Sequence, residues 1–285
     1  MATELRFHKM HGAGNDFVLI DLREQTVDLT TDSARALADR RLGIGCDQLL
    51  LLHPTRNQDC VTRYSIRNAD GSPAGQCGNG ARCIGLYLFL QGEVGHQPFA
   101  VESPAGIIQI RRCRDGEFEV DMGKARFESA SVPIAIEPED GVYRLDSPWG
   151  NLPFRAASMG NPHALLQVED VTHAPLSEWG DYLSHHTIFP EGCNIGFAEI
   201  ISRKSIKLRV YERGAGETLA CGSGACAAVA MLNQAGMVAE KVEVFLPGGL
   251  LVIKLRESGG AQDGTLEVLM KGPATHVFKG IINNE

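Results

Sequence analysis

Apolar and polar residues alternate in short runs along much of the chain: "VTRYSIRN" from Val61, "GIIQIRRC" from Gly106, "EFEVDMG" from Glu117, "SIKLRVYE" from Ser205, "KVEVFLPG" from Lys241 and "GLLVIKL" from Gly249. A period of two turns every second side chain to the same face, so these runs predict strands. Gly, Pro and Asn-Gly-type punctuation separates them. Two stretches read instead as helices, "GNGARCIGLYLFLQG" from Gly78 and "GSGACAAVAMLNQAG" from Gly222. Each ends at a glycine suited to a helix C-terminus, Gly92 and Gly236. The "AVAML" segment is apolar all round, which predicts a buried helix. A further helix is expected in "TDSARALADRR", opened by Thr or Asp as cap. Many strands with few helices place the chain in the α+β class.

The pattern repeats. Cys77 and Cys221 are 144 residues apart, and so are Asn68 and Glu212. Asn15 and Asn161 are separated by 146, and "GCDQLLLL" from Gly45 and "GCNIGFAEI" from Gly192 by 147. Landmarks recurring in one order at nearly constant spacing signal a duplicated chain. The expected halves are residues 1–122 and 123–272.

With 285 residues, 44% apolar and 22% charged, the chain can bury a real core. Its net charge of −8 and lack of a long basic run argue against a nucleic-acid partner. The start, "MATELRFHKM", has no apolar core of the signal-peptide kind, and "QLLLLH" and "LYLFL" are too short to span a bilayer. The expectation is a soluble, cytoplasmic protein without a membrane partner, whose eight cysteines are thiols.

Two of those cysteines carry the candidate chemistry. Cys77 and Cys221 stand directly before the helices, where unpaired N–H groups and the helix dipole favour negative charge. That position is expected to lower a thiol pKa and to hold a substrate carboxylate. With the halves facing each other across a cleft, one sulfur would lie on each face of an α-carbon, which suits inversion of stereochemistry. The bland reading, a small buried hydrophobe, is the expectation for the other six. Cys83 and Cys226 should face the core, while Cys46 and Cys193 occupy matched loop positions and are either packed or near a site. Cys60 and Cys113 show no pattern. Zinc knuckles and redox dithiols are disfavoured, because the spacings are C-x5-C and C-x4-C, without C-x2-C. Glu212 and His163 are candidate proton managers, against a solvated glutamate and a core histidine. Arg213 either clamps a second carboxylate or is a surface residue. Asn15, Gln48, Asn68, Asn161 and Asn194 sit in turn-like settings, and their recurrence in both halves points towards binding.

The motifs "KMHGAGNDF", "GCDQLL", "NADGSPAGQCGNGARC", "SMGNPH", "NIGF", "RVYERGAGETLACGSGACAA" and "LPGG" closely resemble those of the diaminopimelate epimerase family, from about Phe7 to "GPATHVFKG". The resemblance implies two pseudo-symmetric halves, each a strand-rich barrel around one helix, with residues 273–285 returning to the first. It implies that Cys77 and Cys221 are the acid/base pair, without pyridoxal phosphate, other cofactor or metal. Glu212 and His163 would tune the thiols, and Gly78, Asn79, Gly222 and Ser223 would hold the reacting carboxylate. Asn15, Gln48, Asn68, Asn161, Asn194, Glu212 and Arg213 would hold the rest of the substrate. The implied reaction interconverts LL- and meso-2,6-diaminoheptanedioate in lysine biosynthesis. A homodimer is implied too, although dimeric relatives often carry Tyr where this chain has Phe278. The nearest alternative is a proline or hydroxyproline epimerase, which Arg213 and the asparagine set argue against, since a small ring has no distal carboxylate. A thiol-redox or metal-binding protein and a non-catalytic diamino-acid binder are the other classes.

Overall fold

The computed structural model describes residues 3–27, 29–257 and 266–284. In chain order its elements are β1 (Thr3–Gly12), β2 (Asn15–Asp21), α1 (Thr31–Ala38), β3 (Gln48–His53), β4 (Cys60–Asn68), β5 (Pro73–Ala74), α2 (Gly78–Leu90), β6 (Phe99–Ser103), β7 (Gly106–Arg112) and β8 (Phe118–Ala125). There follow β9 (Tyr143–Ser147), β10 (Gly150–Ser158), β11 (Pro162–Gln167), α3 (Leu176–Ser184), β12 (Asn194–Ser202), β13 (Ser205–Glu212), β14 (Gly216–Thr218) and α4 (Gly222–Gln234). The last strands are β15 (Lys241–Leu246), β16 (Gly249–Glu257), β17 (Leu266–Gly272) and β18 (Thr275–Asn284). The chain divides into two compact units, Met1–Val120 with Gly272–Glu285, and Asp121–Lys271.

The duplication seen in the spacing is a duplication of topology. In the first unit β1–β2 is antiparallel, β2–β3 parallel, β3–β4 and β4–β5 antiparallel, β4–β6 parallel, and β6–β7 antiparallel. In the second unit β10–β11, β11–β12, β12–β13, β13–β14, β13–β15 and β15–β16 repeat those relations in the same order. The last strand belongs to the first unit: β18 runs antiparallel to β1, with Phe7 opposite Gly280 and Lys9 opposite Phe278.

Each sheet curls around one apolar helix, giving the α+β, barrel-like fold. Helix α2 packs on β1, β2, β7 and β18; α4 packs on β10, β11, β12 and β16. Ala225 to Leu232 are all buried, as an all-round apolar helix must be. Both helices end in the same αL device. Gly92 and Gly236 have φ of 77° and 71°. Their N–H groups bond back to Phe89 and Asn233, while those of Glu93 and Met237 reach Leu88 and Leu232. Within α2, a Cβ at Gly85 would come 2.8 Å from Phe118 Cδ1 and 3.0 Å from Ile110 Cγ2. Gly85→Ala is therefore expected to destabilise the protein by about 1–2 kcal/mol in urea unfolding, overpacking outweighing the helix propensity gained.

Three features lie outside the alternation pattern. Strand β3 is apolar from Leu49 to Leu52, all buried. It has no polar face because Leu49 and Leu51 meet Ala34, Leu37 and Ala38 of α1, while Leu50 faces α2 at Gly80. Helix α3, the counterpart of α1, lacks start signals: its N-cap is Pro175, with no side-chain cap bond. Its Gly180 is demanded by packing, since a Cβ there would sit 2.6 Å from Tyr211 Cβ. Helix α1 stops at Ala38, short of the expected stretch, because the Asp39 carboxylate accepts the N–H groups of Arg41 and Leu42, both at 2.7 Å. Among the described residues no helix is long and apolar enough to cross a membrane.

Candidate active site

In the first unit Cys77 is the N-cap of α2, half-buried, with extended backbone at φ −127°. Gly78 and Asn79 form the first turn, and the Cys77 carbonyl accepts the Ala81 N–H. The thiol donates to Asn15 Oδ1 at 3.6 Å. Asn15 opens β2 directly after a turn in which Ala13 and Gly14 both have positive φ. Its Oδ1 also accepts from Asn79 Nδ2 at 3.3 Å, and its Nδ2 donates to Asp47 Oδ2 at 2.9 Å. Gln48 and Asn68 lie directly opposite each other on β3 and β4, joined by Gln48 Nε2 to Asn68 Oδ1 at 3.0 Å. Because β2 and β3 are parallel and β4 runs back, Asn15, Gln48 and Asn68 all sit at one end of the sheet.

In the second unit Cys221 is the N-cap of α4, 4% exposed, and its sulfur accepts the Gly224 N–H at 3.4 Å. The thiol donates to Glu212 Oε2 at 3.0 Å, and Ser223 Oγ lies 3.6 Å away. Thr218 donates to the other Glu212 oxygen at 2.6 Å. The turn joining β13 to β14, with Glu212 opposite Gly216, carries the carboxylate back towards the helix start. His163 on β11 lies beside Asn194 on β12, and its Nε2 bonds Asn161 Oδ1 at 3.0 Å. Asn194 donates to the Pro162 carbonyl and accepts the Arg213 N–H, both at 3.0 Å. Arg213 is exposed, and its guanidinium donates to the Glu191 carbonyl.

The electrostatics correct one expectation. A helix start was expected to lower the thiol pKa, yet at Cys221 burial, then the Glu212 charge and the hydrogen bond to it, push the thiol well above its usual range. The Gly224 N–H and Ser223 pull the other way and lose. Cys221 is therefore held in its thiol form. Cys46 and Cys193, left open between core and site, are both buried, Cys46 being pushed up to about 12 by desolvation. Cys83 and Cys226 are buried inside their helices.

His163 is a buried neutral imidazole, lowered to about 3 by desolvation and then by the Arg213 charge. Because the folded value lies below the unfolded one, its contribution to stability is complete above about pH 6.5 and is lost as pH falls towards 3. His163→Gln is expected to reduce the acid slope of unfolding free energy by about 1.4 kcal/mol per pH unit across that window, read by urea titration at stepped pH. Three partners were missed in the sequence: Asp47, Thr218 and Arg82, whose Nη2 donates to Asn79 Oδ1 at 2.9 Å. Thr218, three residues before Cys221, offered the one local signal, a hydroxyl near a helix cap.

A thiol caps a helix in each of two duplicated units. Solved structures with the same fold include a hydroxyproline epimerase from Agrobacterium vitis with bound trans-4-hydroxy-L-proline (TM-score 0.73, 16% identity, 100% of this chain and 95% of that one). A PhzF-family phenazine biosynthesis protein from Bacillus anthracis also shares it (TM-score 0.69, 15% identity, 98% and 99%). Sequence narrows the class. The diaminopimelate epimerase family profile matches residues 7–128 and 155–277. Diaminopimelate epimerases from Chromobacterium violaceum and Thioalkalivibrio sulfidiphilus are 46% and 45% identical, each over 98% of this chain and 99% of the relative. The chain belongs to the diaminopimelate epimerase family and is an isomerase.

Proposed function

We propose that the enzyme interconverts LL- and meso-2,6-diaminoheptanedioate, in lysine biosynthesis, with Cys77 and Cys221 acting on opposite faces of the α-carbon. The observation that carries this reading is the matched pair of thiols at helix starts, each beside an acceptor oxygen: Asn15 Oδ1 for Cys77, Glu212 Oε2 for Cys221. In one direction the Cys77 thiolate takes the α-proton, breaking C–H and forming S–H. Cys221 then delivers its own proton to the other face, leaving a thiolate. The reverse reaction exchanges the roles. N–H groups of Gly78 and Asn79, and of Gly222 and Ser223, hold the α-carboxylate and spread the charge of the carbanion. Glu212 sets the Cys221 proton, and His163 is a neutral prop for Asn161. Asn15, Gln48, Asn68, Asn161 and Asn194 hold the remaining polar groups, and exposed Arg213 meets the distal carboxylate. Proton transfer at carbon moves no net electrons, so these side chains suffice.

The same reading makes the protein a cytoplasmic homodimer. A second copy is favoured by the apolar side chains that β18 leaves uncovered, Val277, Phe278 and Ile281, which are 52%, 47% and 60% exposed. Offering LL-diaminopimelate and L-proline side by side tests the substrate. Inversion of the first alone is expected, and inversion of proline alone would assign the site to a small-ring amino acid.

A further inference from the structure

The hydrogen bonds on the Cys77 side run in one direction, and charged groups at the two ends impose it. Arg82 is fully buried in α2. It has only donors, and its Nη2 meets Asn79 Oδ1 at 2.9 Å while its Nε meets the Pro273 carbonyl at 3.1 Å. Asn79 must then offer Nδ2 to Asn15, whose Oδ1 accepts it at 3.3 Å. From the other end the Asp47 carboxylate, which only accepts, takes Asn15 Nδ2 at 2.9 Å. Asp47 is itself held by the Asp16 N–H at 3.1 Å and by Arg40 at 2.7 Å. An amide's oxygen and nitrogen are nearly equal in shape, so its orientation is set by such partners rather than by packing. Both ends demand the same orientation, Asn15 Oδ1 towards the sulfur.

We propose that Asp47 is a positioning residue for the epimerisation, fixing the Asn15 amide so that an acceptor oxygen faces the Cys77 thiol, with Arg82 closing the far end of the relay through Asn79. The inference rests on Cys77 being a proton carrier, as proposed above. With Oδ1 facing it, the Cys77 S–H has an acceptor and the thiol form is favoured, the form from which Cys77 delivers a proton when Cys221 is the base. With the amide turned over, Nδ2 would face the sulfur and stabilise thiolate instead. The second unit reaches the same end directly: where the first has neutral Asn68, 144 residues earlier, it has Glu212, whose carboxylate accepts the Cys221 proton itself. The Asp47 bond to Asn15 is shorter than the Asn79 bond, 2.9 against 3.3 Å, so the Asp47 end carries the larger share.

Asp47→Ala tests this by removing the carboxylate. Asp47 Oδ2 takes both the Asn15 Nδ2 and the Asp16 N–H, so its loss leaves only the longer Asn79 bond to orient Asn15, and the amide is free to turn over. Peptide-mapped alkylation of Cys77 by iodoacetamide at pH 7 is expected to rise roughly tenfold, with its pH midpoint about one unit lower. Cys221 keeps its profile, and kcat falls about tenfold in the direction in which Cys77 is the donor. Arg40→Gln alone keeps the wild-type profile at Cys77. Asp47→Asn keeps an oxygen for both the Asn15 Nδ2 and the Asp16 N–H and returns Cys77 towards wild type, a rescue that a general loosening of the loop would not give. An unchanged Cys77 profile in Asp47→Ala, or an equal change in Arg40→Gln alone, overturns the proposal. Alkylation is read without turnover, so the relay is tested even if Cys77→Ala were to leave epimerisation intact and sink the reading of Cys77.

Discussion

Cys77→Ala and Cys221→Ala each lower kcat for epimerisation by about a thousandfold, in both directions, while the protein stays folded. Inversion needs one group to take a proton and another to give one, so losing either stops both directions. The variants differ in what survives. Each keeps a thiol that serves one face, so each retains slow α-hydrogen exchange without inversion on one isomer, and the favoured isomer is opposite in the two. Assays of both isomers by chiral chromatography, with exchange followed by NMR in deuterium oxide, separate these outcomes. Equal loss of exchange on both isomers in both variants would mean that the sulfurs share one role rather than dividing the faces. Neither substitution is expected to empty the core, since both cysteines are at helix caps rather than in the helix interiors.

Glu212→Gln has the next largest effect, lowering kcat by about a hundredfold. The carboxylate raises the Cys221 pKa by its charge and by accepting the S–H at 3.0 Å. A neutral amide removes the charge, so Cys221 ionises at lower pH than in the parent enzyme and its alkylation midpoint moves down. Burial, the largest cause of the upward shift, remains, so the midpoint still lies above that of an ordinary cysteine. Alkylation of Cys221 mapped against pH checks the sign. A midpoint that rises in Glu212→Gln would show that the carboxylate stabilises thiolate, and would remove Glu212 from its assigned role.

The repeat was legible because both units keep the same strand order, so Cys77 and Cys221, and Asn68 and Glu212, keep one spacing. Strands with one solvated face were legible too: "SIKLRVYE" is β13 from end to end. Strand β3 was hidden because helices cover both its faces, and α3 because Pro175 and Gly180 read as breakers, although Tyr211 requires the glycine. At the site, the helix-start position of each cysteine was readable, but the sign of the Cys221 shift was not. It depends on burial and on Glu212 curling back through the β13–β14 turn. The relay through Asp47 and Arg82 left no local trace, since Asn15 and Asp47 are 32 residues apart, and Arg82 and Pro273 are 191 apart.

The two-thiol account is tested most directly by an early-time reaction of LL-diaminopimelate with the wild-type enzyme in deuterium oxide, with both isomers analysed before substantial turnover. Two separate proton carriers predict a meso product carrying deuterium at the inverted carbon, while the remaining LL substrate still carries hydrogen there. A meso product that retains the substrate's own hydrogen would show one group acting on both faces, and would contradict the division of the reaction between Cys77 and Cys221.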